Sequence, residues 1–232
     1  MPRETFERDL QRLEDELLTL GSLVEQAITD SVTSLKERDQ EEAERLVEQD
    51  RQLNERRYTL EAKALTLIAT QQPMAGDLRT IAAILSLASE LERIGDYAKG
   101  IAKINLMMGE EPLLKPLIDV PRMADKTRDM LNRALQAFAE RDVDLARSIP
   151  REDDEVDGLY NQVYRELLTY IISDPRTIDQ ATYLLWVAHN LERAADRVTN
   201  ICERVIFTVT GKLVEIKGDQ RREITYKNQT MT

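Results

Sequence analysis

The feature that most constrains this chain is a repeat: its second half restates its first at an offset of about a hundred residues. Glu37-Arg38-Asp39 returns as Glu140-Arg141-Asp142, and Ala43 and Asp50 return as Ala146 and Asp153, all at an offset of 103. Pro73 returns as Pro175 at 102, and Leu91-Glu92-Arg93 with Asp96 returns as Leu191-Glu192-Arg193 with Asp196 at 100. The shrinking offset places small deletions near the turn after residue 70, where a loop absorbs them. The expected architecture is therefore a duplication, with one compact unit in each half.

Each copy reads as three helices. In the first, Phe6, Leu10, Leu13, Leu17, Leu20, Val24, Ile28 and Leu35 recur at spacings of three and four, which predicts a long helix over 4–37. Asp39 has the position of an N-cap, with Glu41 and Glu42 in the first turn against the helix dipole. A second helix is expected over 40–71, closed by Gln72-Pro73, and a third over 75–108, closed before Pro112. The second copy predicts helices over 120–141, 142–172 and 176–208. The fold class is all-α: two tandem antiparallel three-helix bundles over 1–110 and 122–210, a proline-bearing linker at 111–121, and a polar tail at 211–232 that is frayed or briefly extended.

Composition supports this and narrows the function. Charged residues make up 32% of the chain and aromatics 5%, with few Gly and Pro among 232 residues, a balance suited to long helices. The net charge of −11 argues against nucleic acid, whose recognition rests on Lys and Arg neutralising phosphates. A single Cys fits a reducing compartment. The N-terminal stretch is charged from residue 3 and has no apolar segment, so no secretory leader is expected. No window approaches ~18 uninterrupted apolar residues, so no membrane insertion is expected.

The chemistry in this sequence is carried by acids where apolar residues belong. Along the third helix, Ile81, Ile84, Leu85, Ala88, Leu91 and Gly95 form an apolar stripe; Glu92 falls in its middle and Asp96 at its edge. Glu192 and Asp196 repeat the arrangement on the stripe of Leu184, Leu185, Ala188, Leu191 and Ala195. Folding the second helix back about Pro73 brings Asp50, 23 residues before it, level with Asp96, 23 residues after it; Asn54 and Glu92 are each 19 away. Around Pro175, Asp153 and Asp196 are 22 and 21 residues away, and Asp157 and Glu192 are 18 and 17. Each hairpin thus gathers four side chains with oxygen ligands, a set that suits hard or borderline cations. Acidic pairs one turn apart more often belong to a solvated face, here with Arg93 or Arg193 as partners. The face, the duplication and the common level together favour metal.

Other residues carry weaker expectations. His189 and Cys202 read as packing residues, Trp186 and the tyrosines as core or interface aromatics. Gly95 and Gly100 suggest close helix approach. No phosphate-cradling glycine loop and no nucleophile–base motif is visible, so no catalytic residue is assigned and the chain is not expected to be an enzyme. A single His does not fit the Glu-x-x-His pattern of di-iron bundles.

Gln71-Gln72-Pro73-Met74-Ala75-Gly76-Asp77-Leu78-Arg79, followed by Leu91-Glu92-Arg93-Ile94-Gly95-Asp96, resembles the first-repeat signature of the PhoU family. Leu191-Glu192-Arg193-Ala194-Ala195-Asp196, followed by Asn200-Ile201, resembles its second-repeat counterpart. The resemblance covers residues 4 to 211. It implies paired bundles with metal clusters, iron or zinc in some members, beside the Mg, Mn or Ca that oxygen ligands also suit. The metal-ligand set it implies is Asp50, Asn54, Glu92 and Asp96 in one copy and Asp153, Asp157, Glu192 and Asp196 in the other. The family pattern has an acid where Asn54 stands. The resemblance further implies a cytoplasmic accessory of the phosphate transporter, peripheral to the inner face of the membrane. Its partners would be the transporter ATPase subunit and a sensor histidine kinase, and its role would be to repress the phosphate-starvation response; a homodimer is compatible with it. Two other readings remain open: a spectrin-like structural repeat with an unbroken helix across 111–121, and a metal-dependent hydrolase.

Overall fold

The computed structural model describes residues 2–217 and 220–223. In chain order these form α1 (Pro2–Glu37), α2 (Gln40–Gln71), α3 (Ala75–Met108), α4 (Asp119–Glu140), a short α5 (Val143–Ser148), α6 (Asp153–Ser173), α7 (Ile178–Thr210), β1 (Val214–Lys217) and β2 (Gln220–Glu223). Helix α3 ends ten residues before α4 begins, so no helix runs through the connection and the spectrin-like continuity is absent. Pro121, expected in the linker, stands in the first turn of α4, where its missing N–H has no helical partner to lose.

The repeated Glu-Arg-Asp triplet is a helix–helix turn in both halves. Arg38 and Arg141 take the left-handed conformation, with φ of 61° and 58°. The aspartate after each caps the next helix: Asp39 accepts from the Glu42 N–H at 2.9 Å, and Asp142 from the Asp144 and Leu145 N–H groups, each at 2.9 Å. A left-handed non-glycine residue costs about 1 kcal/mol, and both arginines find compensation. Arg38 donates to Asn105 Oδ1 at 2.6 Å and to the Gly109 carbonyl, and Arg141 donates to Glu14.

The helix expected over 142–172 is broken. Between α5 and α6 lies a tight helical turn, Ile149–Glu152. Pro150 breaks it, because the ring lacks an N–H and clashes with the carbonyl four residues earlier. Asp153 therefore opens a helix, whereas Asp50 sits within one. Beyond α7, β1 and β2 pair antiparallel, so 214–217 and 220–223 take the extended form of the two expected for the tail, whose stretch 224–232 lies outside the described residues. Val214 and Ile216 pack on the core, and the Ile216 N–H donates to Glu203 at 2.7 Å.

Helices α1, α2 and α3 make one layer and α4, α6 and α7 the other, joined through α3 against α7 and α1 against α4. The α3–α7 crossing is reciprocal. A β-carbon on Gly100 would lie 3.3 Å from the Asn190 amide, and the Asn200 amide donates to Glu90 at 3.4 Å. Positions 90 and 190, and 100 and 200, are repeat equivalents, so exchanging the halves converts one contact into the other. This is the pseudo-two-fold relation of the copies, with α3 and α7 antiparallel. One core cluster runs through both layers, from Phe6 to Ile206. The halves share that core because α3 is buried on the sides facing both its own layer and α7.

Asn105 holds the α1–α2 turn from inside. It has no exposed surface, and its amide donates to the carbonyls of Ser34 at 2.9 Å and Asp39 at 3.1 Å while accepting from Arg38 and Gln40. Asn105→Leu keeps the branched heavy-atom skeleton and strands these partners, so it is expected to cost about 2–3 kcal/mol. The measurement is the urea midpoint, against Lys103→Leu on the exposed face of the same helix as a neutral control.

Candidate functional site

The structure brings each predicted quartet together at the edge of its layer. In the first patch Asp50 lies under the surface, 6% exposed, with the Asn54 amide donating to its Oδ2 at 3.0 Å. Asp96 is exposed and Glu92 half-buried. The expectation that Glu92 lies mid-stripe is corrected: the buried face of α3 runs through Leu87, Leu91, Ile94, Ala98 and Ile101, because α3 packs on three helices. Glu92 borders that face. Its carboxyl is pushed up by burial and then by Asp96, against the pull of Arg57.

A residue the sequence reading passed over occupies the middle of this patch. Lys99 Nζ donates to Asp50 Oδ2 at 2.6 Å and to Asp96 Oδ1 at 3.2 Å. The bond to Asp50 raises the lysine's pKa. A lysine three residues after an aspartate reads as solvated helix face. The signal available was its repeat equivalent, Thr199, which carries no charge.

The second patch has the same frame and no such lysine. Glu192 is half-buried and Asp196 exposed, as in the first patch. Among the described residues, no Lys or Arg comes within ion-pair distance of Asp153, Asp157 or Asp196. Burial pushes Asp153 up to about 7, reinforced by the charges of Asp157, Asp196, Glu192 and Asp154. Asp157 is raised by burial and by Asp196. Glu192 is raised by burial and Asp196, with His189 and Arg193 opposing. Glu192 Oε2, shut off from solvent, has no hydrogen bond, although His189 Nδ1 lies 3.3 Å away. His189 is thus exposed and next to the patch, and the packing role expected for it is corrected. An open cavity of about 660 Å³ adjoins this patch, walled by Asp153, Asp157, Asp196, Arg197, Glu203 and Glu215.

As donors, the two patches differ. Among the described residues no three carboxylate, imidazole or thiol groups stand close enough together to hold a metal ion as they are. The second patch fits a cation by its chemistry: four acids, an orphaned carboxylate oxygen and, among the described residues, no lysine or arginine paired with Asp153, Asp157 or Asp196. Ligation there needs side-chain rotation on fixed helices. The first patch does not fit one, because an ammonium fills the place. Cys202 is buried, as expected, its thiol pushed up to about 12 by burial. Trp186 is about half exposed and meets Tyr183 edge-on at 5.8 Å.

A family model described as the PhoU domain matches residues 17–104 and 120–205. A phosphate-specific transport system accessory protein PhoU homolog of Clostridium acetobutylicum is 37% identical over 217 residues, covering 93% of this chain and 99% of that protein. The accessory protein PhoU of Escherichia coli is 35% identical over 216 residues, covering 93% and 90%. Among solved structures, the phosphate transport system regulatory protein PhoU of Streptococcus pneumoniae aligns with a TM-score of 0.84 at 33% identity, covering 91% of this chain and 100% of that one. PhoU of Pseudomonas aeruginosa aligns with a TM-score of 0.84 at 35% identity, covering 89% and 99%.

The crowding at Asp153 gives a pH signature. Between its ordinary 3.8 and about 7 the folded state keeps a proton that the unfolded chain releases. Unfolding free energy therefore falls as pH rises through that window. For a part-exposed carboxyl, solvent screening brings the effect to about 1–2 kcal/mol. The chelator-treated protein is expected to lose denaturant midpoint as pH rises from the ordinary 3.8 of an aspartate to about 7. Asp153→Asn should flatten that loss and be the more stable form at the upper end. Parallel pH profiles of the two proteins would contradict the assignment.

Proposed function

This chain belongs to the PhoU family, and on that premise we propose that it regulates phosphate transport by binding, not by catalysis. The relatives it matches are named accessory or regulatory proteins of phosphate transport, and the likeness spans nearly all of each of them. In the finer reading it docks on the transporter's ATPase subunit and on a sensor histidine kinase, and keeps phosphate-starvation genes off while phosphate is plentiful. Among the described residues no helix is long and apolar enough to cross a membrane. A net charge of −11 opposes adsorption to an anionic leaflet, so recruitment to the cytoplasmic face runs through membrane proteins and not through lipid.

The observation that carries the reading is the uncompensated second patch. Asp153, Asp157, Glu192 and Asp196 would hold the metal; Mg, Mn and Fe suit all-oxygen ligation, and Zn comes from the resemblance. When bound, it would supply the positive charge these acids lack. A surface for partners is available on α6, where Tyr164, Leu168 and Ile172 recur one turn apart and exposed, Ile172 by 80%.

Two experiments test this. A deletion strain grown in ample phosphate is expected to switch on its phosphate-starvation genes, and the purified chain to capture the kinase or the transporter ATPase, less so as Leu168→Ser/Ile172→Ser. Normal repression together with no capture would defeat the signalling assignment. Separately, the chain loaded with Mn²⁺ is expected to lose its bound metal in Glu192→Ala/Asp196→Ala while keeping its helical circular dichroism; unchanged metal content would defeat the ligand assignment.

A further inference from the structure

We propose that Lys99 is the resident cation of the first patch, and that metal binding in this chain is confined to the second. At the four ligand positions and the position three residues beyond the last, the two patches are repeat equivalents that differ twice: Asn54 stands opposite Asp157, and Lys99 opposite Thr199. Both differences remove negative charge from the first patch or supply positive charge to it. The ammonium bridges Asp50 on α2 and Asp96 on α3, the two acids that face each other across the hairpin, at 2.6 and 3.2 Å. Asp50 Oδ2 also accepts from the Asn54 amide at 3.0 Å, so its lone pairs on the patch side are already committed. Asp50 is 6% exposed. Hydrogen bonds from an ammonium to a carboxylate buried to that degree are short and strong, and they neutralise the charge that a metal would otherwise compensate.

A divalent ion entering the first patch would have to displace an ammonium that is tethered to the same helix. The tether keeps the lysine's local concentration high whatever the metal concentration outside. At the second patch Thr199 offers no competing charge, and the acids there carry the whole cost of their mutual repulsion. The duplication thus yields one closed patch and one open patch on a common frame. The half of this inference that concerns the second patch rests on the metal reading above; the half that concerns Lys99 does not.

The experiment measures Mn²⁺ bound per chain by equilibrium dialysis and elemental analysis, with circular dichroism as the check on folding. Glu92→Ala/Asp96→Ala is expected to bind as the parent does, and a loss of metal in that variant overturns the proposal. Asn54→Asp/Lys99→Thr, which gives the first patch the residues of the second, is expected to gain Mn²⁺ that survives Glu192→Ala/Asp196→Ala. No gain overturns the role of Lys99 in closing the site. Should the parent bind no Mn²⁺ at all, the metal reading of the second patch falls, and Lys99 is decided by acylation with acetic anhydride. Lys99 is then expected to be acylated less than Lys103 on the same helix and to become reactive in Asp50→Asn. Equal reactivity of the two lysines in the parent overturns the proposal.

Discussion

The antiparallel contact of α3 with α7 is the constraint on which the rest of this molecule depends. A three-helix layer has apolar surface on two sides, and neither copy of the repeat can cover its own second side. Pairing the copies solves this once for both, and one core runs through the two layers. The contact needs close approach, which Gly100 permits against Asn190. It is also tied by polar groups: Arg197 lies 3.6 Å from Glu90, the Arg193 guanidinium sits 5.9 Å over the Tyr97 ring, and Arg79 donates to the Thr208 carbonyl at 3.4 Å near the end of α7. Reciprocity fixes register as well as proximity, because a shift that improved one contact would spoil its equivalent.

That register sets where the acids go. With α3 and α7 buried against each other, the face each turns toward its outer helix is the only one left for function. Glu92 and Glu192 border the core there, with Asp96 and Asp196 one turn out in solvent. The burial pattern along 91–100 and 191–200 is the same at every position but 93 and 193. Two sites with so similar a frame make a controlled comparison within one chain, in which counter-charge is the main variable. Where Lys99 is present the acids have a partner; where Thr199 stands instead, Asp153 keeps a proton to about 7. Burial is the largest cause at Asp153, and the charges of Asp157, Asp196, Glu192 and Asp154 add to it.

Most of the frame was legible in the sequence because it is written in periodicity and repeated in both halves. The Glu-Arg-Asp turns, the proline that ends α2 and the level at which the acids meet all follow from spacing. What was not legible depends on three-dimensional neighbours. The centre of the buried face of α3 could not be found from one stripe, since a helix packed against three others is apolar around much of its girth. Pro150 was visible, and its effect is local chemistry; a strong apolar period on both sides of it hid the break. Lys99 reads as an ordinary helix-surface residue and His189 as a packing residue, and only the fold shows that one lies between two acids and the other beside a third. Asn105 carries no periodic signal at all, although it closes the turn between the first two helices.

The break at Pro150 also bears on why the second patch is the open one. It makes Asp153 the first residue of a helix, with Asp154 and Glu155 after it, so three acids crowd one turn. The partial positive charge of a helix N-terminus favours acids there, but at Asp153 burial and the neighbouring acids outweigh it and push the carboxyl up to about 7. In the first half α2 runs unbroken through the equivalent region, Asp50 lies in its interior with no free N–H groups nearby, and a counter-ion has to come from a side chain. The same turn places Asp153 on the wall of the cavity that Glu203 and Glu215 also line. Glu203 is the acceptor that docks β1 through the Ile216 N–H, so the acid that seats β1 and three acids of the second patch line one cavity. Nothing equivalent follows the first copy, where α3 ends at Gly109 and the chain passes to α4. One proline and one lysine therefore divide the copies: a neutralised patch in the first, and a crowded one in the second.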